Sequence, residues 1–158
     1  MTGLRFSELP AGPIPSAPLF LGLAGLIPFW VLAGGLALKG VGPFSCECLD
    51  LALASYAAII LSFLGGIRWG LAVASADRPE AGMHFMLSVM PSLAAWILLV
   101  LPEPWRLTSL GCLSLALGPL DRGLVLSGFA APWLGRLRLL LSSGAGMALL
   151  AGAVAWRV

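Results

Sequence analysis

Apolar residues in this chain come in long unbroken blocks rather than in alternation. The blocks run from Ala17 to Leu38, Leu51 to Ala74, His84 to Leu101, Leu107 to Leu120 and Leu137 to Ala155. Between them lie short polar breaks rich in turn formers. Lys39 to Asp50 carries Gly40, Gly42 and Pro43; Ser75 to Gly82 carries Asp77, Arg78, Pro79 and Glu80; Pro102-Glu103-Pro104 stops the third block. A helix needs about 20 apolar residues to cross a hydrocarbon layer of about 30 Å. Lipid offers no partner to an exposed peptide group, so such blocks must close their hydrogen bonds within themselves, as helices. The pattern predicts an all-α, polytopic membrane protein: a single bundle of five transmembrane helices, spanning about 17–38, 51–74, 84–101, 106–120 and 137–155, behind a Pro-rich segment at 1–16.

The individual blocks carry further expectations. The opening segment, with Pro10, Pro13 and Pro15, reads as irregular or surface-lying, with Phe6 as an interfacial contact. The first block is too long for the core of a signal peptide, so it reads as a span. Pro28 and Pro91 should kink the first and third spans, because proline cannot donate to the carbonyl one turn back. Trp30 reads as a packing residue and Trp105 as an interfacial anchor. The fourth block is only about fourteen residues long, shorter than a usual span, and is accommodated by starting at Trp105 or by local thinning of the bilayer. Gly123 to Pro132 then becomes a partly apolar surface segment.

The second block holds the most closely packable backbone. In steps of four it reads Ala54, Ala58, Ser62, Gly66, Gly70, Ala74. Residues four apart share a helix face, and a small-residue face lets two membrane helices approach closely. Ala58, Ser62, Gly66 and Gly70 are therefore the expected helix-packing residues. Arg68 points to the opposite side. A cation at the bilayer centre costs roughly 2.5–3.5 kcal/mol on insertion scales. From Arg68 to the boundary at Ser75 is about 10 Å of helix, much of which a guanidinium can cover by snorkelling.

Composition and charge narrow the class. Of 158 residues, 59% are hydrophobic and 10% charged, too little charge to cover a soluble domain of this size. A net charge of +2 with no basic run excludes nucleic acid as a natural partner. Cys46, Cys48 and Cys112 make neither a disulfide framework nor a zinc site, and no metal is expected.

Counting Lys and Arg in the breaks, Arg5, Arg78, Arg122, Arg136 and Arg138 fall on the amino-terminal side. Lys39, Arg106 and Arg157 fall on the other. The bias places the amino terminus in the cytoplasm, or on the equivalent matrix side, and the carboxy terminus opposite. That topology gathers Arg68, Trp69, His84, Asp121, Arg136 and Arg138 at one membrane boundary as candidates for an anion- or lipid-binding site. Asp121 is the expected counter-ion of Arg68, with Asp77 as the local competitor; Asp121 can equally pair with its neighbour Arg122. Arg136 and Arg138 most simply meet lipid phosphates. His84, the single histidine, has no second histidine at its depth to complete a haem or chlorophyll site. No nucleophile–base pair or paired carboxylates can be assembled, so the reading is non-enzymatic.

The run Tyr56-Ala-Ala-Ile-Ile-Leu-Ser-Phe-Leu-Gly-Gly-Ile-Arg-Trp-Gly70 resembles the signature of a family of small integral membrane proteins known as domain of unknown function 3429. Leu21-Gly-Leu-Ala-Gly-Leu-Ile-Pro-Phe29 and Pro132-Trp133, followed by Leu137-Arg138, are similar to it as well. The resemblance implies a bacterial or mitochondrial inner membrane and supplies no activity. Two functional readings stand side by side. One is a non-catalytic accessory, assembly or structural subunit of a larger inner-membrane complex, respiratory or photosynthetic, whose partners are membrane lipids and other membrane subunits. The other is a small carrier or binding protein for an anionic lipid, quinone or metabolite around Arg68. No cofactor is expected beyond a bound lipid, quinone or pigment.

Overall fold

The computed structural model describes residues 12–157. The expectation for the opening segment, including Phe6, falls largely on residues 1–11 and so lies outside them. Among the described residues six helices follow one another: α1 (Ser16–Ala37), α2 (Cys46–Val73), α3 (Ala81–Leu98), α4 (Trp105–Leu120), α5 (Arg122–Leu126) and α6 (Pro132–Arg157). Among the described residues five stretches are long and apolar enough to cross a membrane, the fourth being α4 taken with the short α5, Trp105–Leu126. There are no strands among the described residues.

Two helices start well ahead of their apolar blocks, and local chemistry accounts for both starts. Ser45 caps α2, its hydroxyl accepting the Cys48 amide at 3.3 Å with Glu47 in the first turn, so the helix opens five residues ahead of Leu51. Pro132 opens α6, where the missing N–H costs nothing. The α1–α2 connection turns on Lys39, Gly40 and Gly42, all at positive φ.

The helices alternate in direction, giving the bundle a near end, where α1 begins, and a far end, where it finishes. α6 packs between α1 and α4, and α2 packs between α1 and α3, with α2 and α4 also touching. Pro28 does not interrupt α1. Next to the Ala24 carbonyl that Pro28 cannot engage, the Gly25 carbonyl accepts the Tyr56 hydroxyl at 3.0 Å, tying α1 to α2. Tyr56 also meets Phe29 edge-on at 4.9 Å. Trp30 is half exposed on the outer surface of α1, so it faces the lipid rather than the packed interior.

The small-residue face of α2 is rotated from the expected one. Ser62, Gly66 and Gly70 are exposed, and a methyl built at Gly66 or Gly70 meets nothing within 4 Å. Ala58 is half-buried at the edge of the core. The close approach occurs at Gly65: a methyl there falls under 3.0 Å from the Ser88 backbone oxygen of α3. The buried face of α2 therefore runs Leu53, Ala54, Ala57, Leu61, Gly65, Arg68, Ala72. The reason is Arg68 itself. Consecutive helix positions lie about 100° apart, so turning Arg68 inward to its counter-ion turns Gly66 and Gly70 outward. A second close seam joins α4 to α6, where methyls on Gly111 and Gly146 would lie 3.2 and 3.0 Å from each other's carbonyl oxygens.

Candidate functional site

The near end holds a buried charge cluster drawn from four spans. Asp121, at the C-cap of α4, is 2% exposed. Its Oδ1 accepts Arg68 Nη2 from α2 at 2.7 Å, and its Oδ2 accepts Arg138 Nε from α6 at 2.7 Å and Arg138 Nη2 as well. Arg68 and Arg138 are 8% and 6% exposed. Arg68 Nη1 lies 3.3 Å from His84 Nδ1 of α3. A guanidinium only donates, so this nitrogen accepts and His84 carries its proton on Nε2. Two guanidiniums thus share one carboxylate, leaving one positive charge in excess inside the bundle. Such a cluster holds because each ion has hydrogen-bonded partners; removing a partner leaves a charge buried alone.

Sequence reasoning assigned Arg68 its counter-ion, and the structure agrees. Asp77 is exposed and takes no part, and Arg122, the alternative partner for Asp121, is exposed too. Two other expectations are corrected, those for Arg138 and Trp69. Arg138 does not meet lipid phosphate through the surface; it is inside, on Asp121. Arg136, two positions earlier and so on the opposite side of α6, is exposed and donates to the Gly12 carbonyl, outside the cluster. Trp69 is half exposed and packs edge-on against Phe85 at 4.9 Å rather than against the ions.

The segment after Asp121 is not a surface strip. α5 and the following turn fold beneath the cluster, burying Leu124, Phe129 and Ala130 against Ala81. The Phe129 ring lies 4.1 Å from the His84 ring on one contact and 4.1 Å from the Arg78 guanidinium on another. Arg78 donates to the carbonyls of Ser127 and Gly128 at 2.7 and 3.2 Å, closing this turn. Sequence reading missed Arg78 and Phe129; the one available signal was a phenylalanine flanked by small residues in a partly apolar connection.

Beside the cluster, between α1, α2 and α6, lies a groove of about 760 Å³. Its wall is hydrocarbon, including Leu21, Phe29, Leu61 and Leu137, with Arg138, Ser114 and Ser142 supplying polarity at one side. Arg138 Nη1 is buried and has no hydrogen-bond partner among the described residues. A charged donor left without an acceptor in a dry site costs about 1–3 kcal/mol or more. The groove is therefore an apolar slot whose lining includes a guanidinium with hydrogen-bonding capacity to spare.

The far end carries a second buried polar group. Asp50 of α2 is 3% exposed, and its Oδ2 lies 3.3 Å from Arg106 Nη1 of α4. Glu103, in the α3–α4 connection, lies 3.1 Å from Arg106 Nε, but that N–H is directed at the Leu101 carbonyl, also at 3.1 Å. Burial and the adjacent Asp50 carboxyl push Glu103 up to about 7. None of these three stands out in the sequence as part of a site, although an acid held between two leucines at the edge of an apolar block, Leu49-Asp50-Leu51, was a usable signal. No group of three or more His, Cys, Asp or Glu residues suited to a metal occurs among the described residues.

Known proteins agree with the expected family. The chain is 39% identical over 99 residues to "Transmembrane protein 69" of Xenopus tropicalis, a match covering 61% of this chain and 38% of that protein. The chain thus spans well under half the length of this relative. No solved structure matches the chain. A profile described as "Protein of unknown function (DUF3429)" matches residues 14–154, from just before α1 nearly to the end of α6, and the chain belongs to that family.

Proposed function

We propose that this protein binds a membrane-resident anionic amphiphile, its hydrocarbon in the groove between α1, α2 and α6 and its acidic head on Arg138. The observation that carries this reading is an apolar groove with Arg138 in its lining, a guanidinium whose buried Nη1 has no hydrogen-bond partner among the described residues. The excess positive charge of the Arg68–Asp121–Arg138 cluster favours a carboxylate or phosphate head over a neutral quinone. A hydrogen bond to a charged group contributes about 1.5–3 kcal/mol, or roughly ten- to a hundredfold in affinity. Extraction in gentle detergent followed by native mass spectrometry tests it. An acidic amphiphile retained near one per chain is expected, with Arg138→Gln losing most of it and Arg136→Gln, on the exposed side of α6, losing none. Equal retention by both variants refutes it.

An accessory role in a larger inner-membrane complex is favoured by a separate observation, the open Ser62, Gly66 and Gly70 face of α2. Such a face suits close docking of another membrane helix, and a stoichiometric large partner in the same extraction would support that role. The arginine excess in the near-end connections supports an amino terminus on the cytoplasmic or matrix side.

A further inference from the structure

Asp50 and Glu103 are two acids in one dry site with a single cation. Asp50 Oδ1 and both Glu103 oxygens are buried and accept no hydrogen bond among the described residues. Other charges at this end are engaged elsewhere. Lys39 Nζ donates to the Ala155 carbonyl at the end of α6, Arg157 lies over the Trp105 ring at 5.8 Å, and Glu47 is exposed one turn earlier on α2. Arg106 on α4 draws Glu103 toward its charged form, opposed by burial and by Asp50. With both acids ionised, two negative charges face one positive charge inside protein. One added proton makes the site neutral. It also creates an O–H donor for a carboxylate oxygen that otherwise has none.

From this geometry we infer that Asp50 and Glu103 form a one-proton site, a carboxylic acid donating to a carboxylate, with Arg106 neutralising the remaining charge. The pair shares the proton, so its titration belongs to both residues together. Because Asp50 lies on α2 and Glu103 ahead of α4, the proton joins α2 to the α3–α4 connection at the far end. Its release leaves two carboxylates repelling each other and draws water between those elements. The site is separate from the near-end groove, since Asp50 and Arg68 stand eighteen positions apart on α2, about 27 Å at the helical rise.

Difference infrared spectroscopy of the full chain in lipid vesicles, titrated with acid and base, reads this directly. The wild-type protein is expected to show a protonated-carboxyl stretch that disappears with a midpoint of about 7. Glu103→Gln and Asp50→Asn should each abolish that band, because either amide supplies the donor and leaves the remaining acid ionised beside Arg106. The wild-type titration needs no variant to fold. Absence of any band titrating near neutrality overturns the inference, as does a band that persists unchanged in Glu103→Gln. Replacement of the proton by sodium at constant pH, seen as loss of the band on adding salt, overturns it in favour of a cation site.

Discussion

Two neighbouring glycines on α2 should respond in opposite ways to the same methyl group. At Gly65 the methyl falls under 3.0 Å from the Ser88 backbone oxygen, with the Ser88 carbonyl carbon at 3.4 Å behind it. The obstacle is main chain, so no rotamer can relieve it; α3 must move away as a unit. Overpacking of this kind costs about 1–3 kcal/mol, and a backbone obstacle places Gly65→Ala at the upper end. At Gly66 the methyl meets nothing within 4 Å. Both substitutions gain about 1 kcal/mol of helix propensity, which cancels in the comparison. Gly65→Ala should therefore be less stable than Gly66→Ala by about 3 kcal/mol. Reversible unfolding in mixed detergent micelles, followed by circular dichroism, measures the difference. Equal stability of the two variants, or a Gly66→Ala loss larger than that of Gly65→Ala, refutes the assignment of the α2–α3 contact.

Asp121→Asn leaves Arg68 and Arg138 buried without a counter-charge, and unfolding in the same micelles should show a loss of about 3–5 kcal/mol. Phe129→Ala removes a fully buried ring from between Arg78 and His84 and should cost about 3–5 kcal/mol, with faster proteolysis between α5 and α6. Glu103 is held at about 7 in the folded chain against 4.5 for the free side chain, so folding favours its protonated form. Its contribution to stability is fully present below about 4.5 and is lost as pH rises through about 7; Glu103→Gln should flatten the stability profile across that window.

The number of spans and their approximate positions were legible in the sequence, because block length alone decides what can cross a hydrocarbon layer. So was the pairing of Arg68 with Asp121, because an ion inside a membrane needs an opposite charge at similar depth, and alternating spans put Asp121 there. Which face of each helix turns inward was not legible. In water, the polar side of a helix marks its exterior; in lipid, interior and exterior are both apolar, so that mark is missing. Gly65 and Gly66 are indistinguishable by composition, as are Arg136 and Arg138, yet a rotation of one or two positions decides which is packed and which is open. Only the assembled bundle settles that rotation, because the charge cluster at Asp121 and the close seam at Gly65 must be satisfied by the same turn of α2. The far-end acids were hidden for a related reason: Asp50, Glu103 and Arg106 lie on two helices and a connection, and nothing along the chain states that those three points meet.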